Sequence, residues 1–381
     1  MPTRWKRRCG QPGKSMLSFL KEYSDSQKVI AQQYDIVFYT ENAYYFQYLR
    51  HLFEAFAGRP GLRIAYISSE KSDPQLSRKD PGLDTWYISK TLLFVWPRLR
   101  SKVLVSTMPG IGQHGYKRAP GVGKYVYVFH ALVSQHQQYP DGAFDHYDAL
   151  LCCGPYHVAE ARRIEEQKGL PPRALVEYGY PLLEELRAKK PAGTVTEFIL
   201  VAPSWHPEGI LNTCLMPLLE GLLAVGLPVF IRPHPEFAKR NPQEMKKLEA
   251  AAKADPRLQI DRAPEVSATL AGARLLVTDR SGIAFEYAFA RRRPVLFVDT
   301  PKKIFNPGYA ALGLTPVEDA LRSRVGSSLQ PGALNETAPA AQELLASAAT
   351  YEEALKALES EILFGPDYWK QGIAYIESCF S

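Results

Sequence analysis

Twice in its second half the chain runs from an apolar, β-type stretch into a polar turn built to meet an anion. The run Leu227-Pro-Val-Phe-Ile halts at Arg232-Pro233-His234-Pro235, and Ala273-Arg-Leu-Leu-Val-Thr278 halts at Asp279-Arg280-Ser281-Gly282 before a helix that carries Glu286. Short, near-continuous apolar runs read as strands buried on both faces, which is the habit of parallel sheets. Ligands of such sheets gather beyond the carboxyl ends of the strands. Arg232 and His234 are fixed there by flanking prolines. Ser281 and Gly282 open a helix, whose unpaired N–H groups and positive dipole end favour an anion. Two phosphate-competent strand ends in one domain point to a nucleotide-diphosphate donor.

The rest of the chain repeats the alternation. Strand-like Tyr34–Tyr39, Leu62–Ser68, Lys102–Ser106, Lys124–Phe129 and Ala149–Cys152 alternate with helical and loop stretches, and Glu197–Ala202, Leu258–Asp261 and Pro294–Asp299 alternate with helical ones. This predicts an α/β protein of two doubly wound, Rossmann-like domains facing a cleft. At 381 residues the chain exceeds what one core organises. The expected division is an acceptor-side domain over 1–188, a nucleotide-donor domain over 195–335, and a helical tail over 336–381 that packs back on the first domain. The polar stretch from Lys189 to Thr194 is the expected linker.

With 46% hydrophobic and 23% charged residues, bulk disorder is excluded. The net charge of +6 is concentrated at the start, where Arg4, Lys6, Arg7, Arg8 and Lys14 precede any acid. That start either touches an anionic membrane surface or is a solvated terminus. No signal-peptide core follows it, and no stretch of about 20 apolar residues exists, so a cytoplasmic protein is expected, peripheral on the inner face of the plasma membrane if the basic start binds lipid. The five cysteines show no CxxC spacing, and the adjacent Cys152 and Cys153 read as small buried hydrophobes. No zinc-type spacing of histidines occurs, so neither metal nor cofactor is expected. Dispersed positive charge without interleaved aromatics argues against nucleic acid as a partner.

Several positions carry a functional and a structural reading side by side. His130 ends a strand on the cleft side, where an imidazole suits proton removal from a hydroxyl, or serves as a hydrogen-bonded structural group. Arg232 either forks onto phosphate oxygens, with His234 adding charge and a proton, or pairs with an acid such as Glu236. Asp279 caps the helix after it, leaving the Ser281 hydroxyl and the Ser281 and Gly282 amides for a diphosphate, or the turn only caps. Ser204 and Trp205 line a nucleotide pocket or form a rigid turn. Glu286 accepts ribose hydroxyls or is a surface carboxylate. The glycines between Gly110 and Gly123 precede a strand and not a helix, so they read as a surface loop, with Lys117 and Arg118 able to touch an anionic acceptor. His136, His146 and His157 read as structural.

Taken in order, Phe129-His130-Ala131, Tyr178-Gly179-Tyr180-Pro181, Ala202-Pro203-Ser204-Trp205, Arg232-Pro233-His234-Pro235, Thr278-Asp279-Arg280-Ser281-Gly282 and Arg293-Pro294-Val-Leu-Phe resemble the CDP-glycerol glycerophosphotransferase family, the teichoic acid primases and polymerases with relatives in capsule synthesis. The resemblance spans about residues 100 to 310. It implies a two-domain glycosyltransferase-B type fold, a metal-free site, a CDP-linked polyol donor, a glycan or lipid-linked acceptor and peripheral membrane attachment. The family's Trp-His-Gly histidine falls on His130, which implies a base, and its Arg-x-His falls on Arg232 and His234. The chain departs from the family at Phe129 and Ala131, and at Arg280 and Gly282, where the family carries Asp-Tyr-Ser-Ser. Two other functions share the expected fold or site: a B-type glycosyltransferase using a nucleotide sugar, and a catalytically silent nucleotide- or glycan-binding subunit.

Overall fold

A computed structural model describes residues 12–191, 197–263 and 266–380. Arg4, Lys6, Arg7 and Arg8 lie outside the described residues, as does the side chain of Lys14.

The first sheet comprises β1 (Tyr34–Thr40), β2 (Ile64–Ser68), β3 (Leu83–Tyr87), β4 (Arg100–Ser106), β5 (Gly121–Val128), β6 (Ala149–Cys152) and β7 (Ala174–Glu177). The second comprises β8 (Phe198–Val201), β9 (Val229–Ile231), β10 (Leu258–Ile260), β11 (Ala273–Thr278), β12 (Val295–Val298) and β13 (Gly326–Leu329). Strand orders are β3-β2-β1-β4-β5-β6-β7 and β10-β9-β8-β11-β12-β13, and the strand pairings, such as Leu276 with Leu200 and Val126 with Ala149, are parallel. Each sheet therefore reverses its winding beside its first strand, at β1/β4 and β8/β11. The crevice beyond a reversal is where doubly wound sheets bind ligands. The all-apolar run of β8 is buried throughout, as the two-faced burial of a central parallel strand requires.

Two edge strands depart from the sequence expectation. β7 is only half-buried, and β13 reads Gly-Ser-Ser-Leu with no apolar run. β13 exists because Gly326 lets the chain run against β12; a Cβ there would stand 1.7 Å from the Val295 carbonyl oxygen. The helix Pro12–Ala31 was likewise not foreseen. It packs on β3 and the helix Leu92–Val95, where buried Glu22 accepts from the Ser89 and Thr91 amides at 2.9 and 2.8 Å. Among the described residues no helix is long and apolar enough to cross a membrane.

The sheets are joined by an apolar seam. Helix Leu182–Ala188 lies on helix Ile283–Arg291, and Tyr180, Leu182, Leu183 and Leu186 share a continuous core with Tyr287 and Phe289. The tail does not return as one piece. Helix Thr337–Ala346 packs on helix Leu215–Leu223 and on β11–β13 in the second unit, whereas helix Trp369–Ser378 packs on the first, against Phe46–Phe56 and β7. Between them the chain crosses Gly154, where a Cβ would lie 1.8 Å from the Ile362 carbonyl oxygen, and Phe364 donates its N–H to Cys153 at 3.0 Å.

Candidate active site

Four neighbouring strands of the second sheet deliver the candidate donor residues to one edge: Ser204 and Trp205 after β8, Arg232 and His234 after β9, Asp279 to Gly282 after β11, and Asp299 to Lys303 after β12. His130 arrives from the first sheet, two residues past β5. The two sets meet at Gly282. A Cβ on this residue would lie 3.4 Å from Val133 Cγ1 and 3.7 Å from Ala131 Cβ, so the Ser281-Gly282 turn faces the segment that follows His130. A narrow cleft with a cavity volume of about 10 Å³ lies beside the turn, lined by Val133, Arg280, Ser281, Gly282, Lys303 and Arg322 among others.

Asp279 does not cap the helix Ile283–Arg291, whose N-cap, Gly282, has no side-chain cap. At 1% exposure its Oδ1 accepts from the Ser204 and Arg280 amides at 2.8 and 2.7 Å. A buried carboxylate of this kind, with Oδ1 held by backbone N–H groups and Oδ2 left without a hydrogen bond, repels rather than binds phosphate. Its position ties the β8 and β11 loops together across the winding reversal and so shapes the site. Arg280 is held by Asp319 at 3.1 Å.

Arg232 pairs with an acid, Asp261 at the end of β10, while the side chain of Glu236 lies outside the described residues. Nη1 is 2.7 Å from Asp261 Oδ2, which also accepts from Thr269 Oγ1 at 2.8 Å. One edge of the guanidinium is thereby committed, and its orientation set. His234 is exposed, and its carbonyl accepts from Phe237 at the start of the short helix Pro235–Arg240. Trp205 is half-buried beneath the Arg240 guanidinium, 4.9 Å from the ring centroid.

Glu286 is no surface carboxylate. It is 7% exposed, and Tyr180 of the first unit donates its hydroxyl to Oε1 at 2.6 Å. Burial pushes the carboxyl up to about 7 against the opposing Tyr180 hydrogen bond. Tyr180 packs against Tyr48, which donates to the Tyr44 hydroxyl at 3.2 Å, and Tyr44, Gln47, Ser267 and Glu286 line one interdomain groove. The tyrosines of this line were missed as functional candidates; Tyr180 was legible only as part of the Tyr-Gly-Tyr-Pro motif.

His130 sits in an aromatic cage, its ring 5.0 Å from that of Tyr45 and 5.9 Å from that of Tyr139. Nδ1 shares a hydrogen bond with the Tyr127 hydroxyl at 3.2 Å, and the ring also bonds the backbone of Thr107 at the end of β4. Burial pushes its pKa down to about 4, so the imidazole is neutral at physiological pH. These bonds fix the ring, and burial leaves it uncharged.

Arg118 is turned inward, bonded to Asp148 at 2.8 Å and lying 4.8 Å over the Tyr125 ring, while Lys117 is exposed. His157 is buried, bonded to the Val133 carbonyl at 2.9 Å and stacked on Phe129, and buried His136 meets Glu160 at 3.2 Å. Among the described residues no group of three or more His, Cys, Asp or Glu side chains is placed to hold a metal ion.

Two parallel doubly wound domains that face each other across such a cleft define the glycosyltransferase-B type fold. Solved structures share it. The wall teichoic acid polymerase TagF superposes with a TM-score of 0.59 at 13% identity, covering 96% of this chain and 95% of that one. The UDP-GlcNAc 2-epimerase from Methanocaldococcus jannaschii gives 0.53 at 12% identity, covering 85% and 99%. A glycosyltransferase from Rickettsia africae gives 0.53 at 10%, covering 92% and 99%. No protein-family model and no curated protein matches the sequence. The resemblance read from the motifs is thus met at the level of the fold.

Proposed function

We propose that the protein is a transferase that moves a polyol phosphate, most simply glycerol phosphate, from a CDP-linked donor to a hydroxyl of a glycan or lipid-linked acceptor, releasing CMP. The observation that carries this reading is the approach of the two strand ends: the Ser281-Gly282 turn packs against Ala131 and Val133, in the segment that follows His130. On this reading a donor diphosphate on the turn is met from the first domain by the neutral imidazole of His130. In this reaction the acceptor oxygen attacks the distal phosphorus of the donor, His130 takes the acceptor proton in place of its bond to Tyr127, and the phosphoanhydride bond breaks to free CMP. Arg232, His234, Ser281 and the Ser281 and Gly282 amides offset the charge that builds on the phosphates, with Ser204, Trp205 and Glu286 on the nucleoside side. Electrostatic positioning is the main device in phosphoryl transfer, and loss of one such donor costs about 3 kcal/mol of transition-state stabilisation. Solved relatives in fold support the reading, since TagF is described as a wall teichoic acid polymerase and one of its variants was soaked with CDPG.

The test is calorimetric binding of CMP, CDP, CDP-glycerol, CDP-ribitol, UDP and UDP-sugars, followed by product analysis. Cytidine-selective binding with CMP and a phosphodiester as products is expected, and a rate loss of roughly a hundredfold in both His130→Ala and His234→Ala. Wild-type turnover in the two folded variants would sink the assignment of roles. A glycoside and a nucleoside diphosphate as products would make the protein a sugar transferase, as its likeness to a solved glycosyltransferase also permits.

A further inference from the structure

We propose, resting on the donor reading above, that Lys303 is a further anion-binding residue of this site, and that what it meets is the second phosphate of a nucleoside diphosphate. The cleft beside Ser281 and Gly282 is lined by four cations, Arg280, Lys302, Lys303 and Arg322. Three of them are matched by acids of the second unit. Arg280 reaches Asp319 at 3.1 Å, Lys302 reaches the same carboxylate at 2.6 Å, and Arg322 reaches Asp299 at 2.5 Å and the Asp279 carbonyl at 2.7 Å.

Lys303 has no ion pair among the described residues. Its ammonium lies 4.8 Å from the centroid of the Phe305 ring and feels the field of Asp279, a carboxylate already engaged by two backbone amides. Glu318, the acid that lines the cleft, is occupied by the amide and hydroxyl of Ser134, each at 2.9 Å. A half-buried ammonium that has lost part of its hydration and makes no direct ion pair is costly, and burial lowers its pKa against the weaker opposing field of Asp279. A bound phosphate oxygen removes that cost.

The segment that carries Lys303 is tied to the opposite domain. The Phe305 amide donates to the Gln137 carbonyl at 3.0 Å, Asn306 Nδ2 to the His136 carbonyl at 3.0 Å, and Gln138 Nε2 to the carbonyl of Lys303 itself at 3.3 Å. The ammonium is therefore presented by a strap that spans the cleft, on the side of the pocket away from β8 and β9. One phosphate is served by the Ser281-Gly282 amides, and Lys303 supplies charge for the next. A donor with two phosphates uses this pair, whereas a nucleoside monophosphate-linked donor leaves Lys303 uncompensated.

Calorimetric titration of the full chain with CMP, CDP and UDP, in wild type, Lys303→Met and Lys303→Arg, tests this. The Met variant is expected to lose roughly tenfold or more in affinity for the diphosphate that the wild type binds, the size of one charge-assisted hydrogen bond, with CMP affected less and the Arg variant close to wild type. Lys303→Gln replaces the Met variant if thermal unfolding shows that Met disturbs the fold. Diphosphate affinity unchanged in a folded neutral variant, or equal losses for CMP and the diphosphate, would overturn the role of Lys303 alone. Absence of any nucleotide binding by the wild type would overturn it together with the donor reading.

Discussion

Replacing Glu286 by glutamine removes a carboxyl while keeping an oxygen that accepts from Tyr180. Burial holds the carboxyl at about 7 in the folded chain, against 4.5 for the free group. Between those values the folded state keeps a proton that the unfolded state has released, so stability falls as pH rises from about 4.5 to 7 and is level above that. A difference of roughly 2.5 units at 1.36 kcal/mol each is about 3 kcal/mol. Glutamine has no proton to lose. Urea unfolding followed by tryptophan fluorescence and circular dichroism at pH 5, 6, 7 and 8 should therefore find the variant close to wild type at pH 5 and more stable by on the order of 2–3 kcal/mol at pH 8. The Tyr180 hydroxyl bridges the two domains to Glu286, so both probes should report the change. Wild-type and variant profiles that stay parallel from pH 5 to 8 would refute a raised carboxyl at this seam.

The same physics acts in the other direction at His130, whose pKa burial lowers to about 4. The acid limb of kcat/KM should fall near pH 4 and not near the 6.5 of a free imidazole, and a limb at 6.5 would mean that another group is the base. Gly154→Ala should cost on the order of 1–3 kcal/mol in thermal or denaturant unfolding, because its methyl would meet the Ile362 carbonyl oxygen and force the tail off the first sheet. An unchanged midpoint would show that the crossing is loose.

Much of the architecture was legible in short apolar runs. Phe198-Ile-Leu-Val and Val295-Leu-Phe-Val cannot be half-exposed without stranding apolar surface, so they had to lie inside a sheet covered on both faces, and both are buried throughout. The same argument fails for β7 and β13, which lie at sheet edges and need no apolar run; Gly326 marks a close backbone approach that only the neighbouring strand reveals. The candidate residues were legible as residue types at strand ends, and the structure brings their loops to one edge.

What the sequence by itself determined is the alternation of strand and helix and the placing of Arg232, His234, Ser281 and His130 at carboxyl ends, because these follow from local hydrophobic period and from proline and glycine at the turns. What only the tertiary structure decided is the partner of each charge. Arg232 finds Asp261 because β9 and β10 are neighbours, Asp279 turns to the Ser204 amide because β8 lies beside β11, and Glu286 takes the Tyr180 hydroxyl because two helices from different domains pack together. Each of these bonds joins groups 29 to 106 residues apart in sequence. Burial and distance set the charge state of such groups, and both come into being only when the strands are ordered and the domains meet.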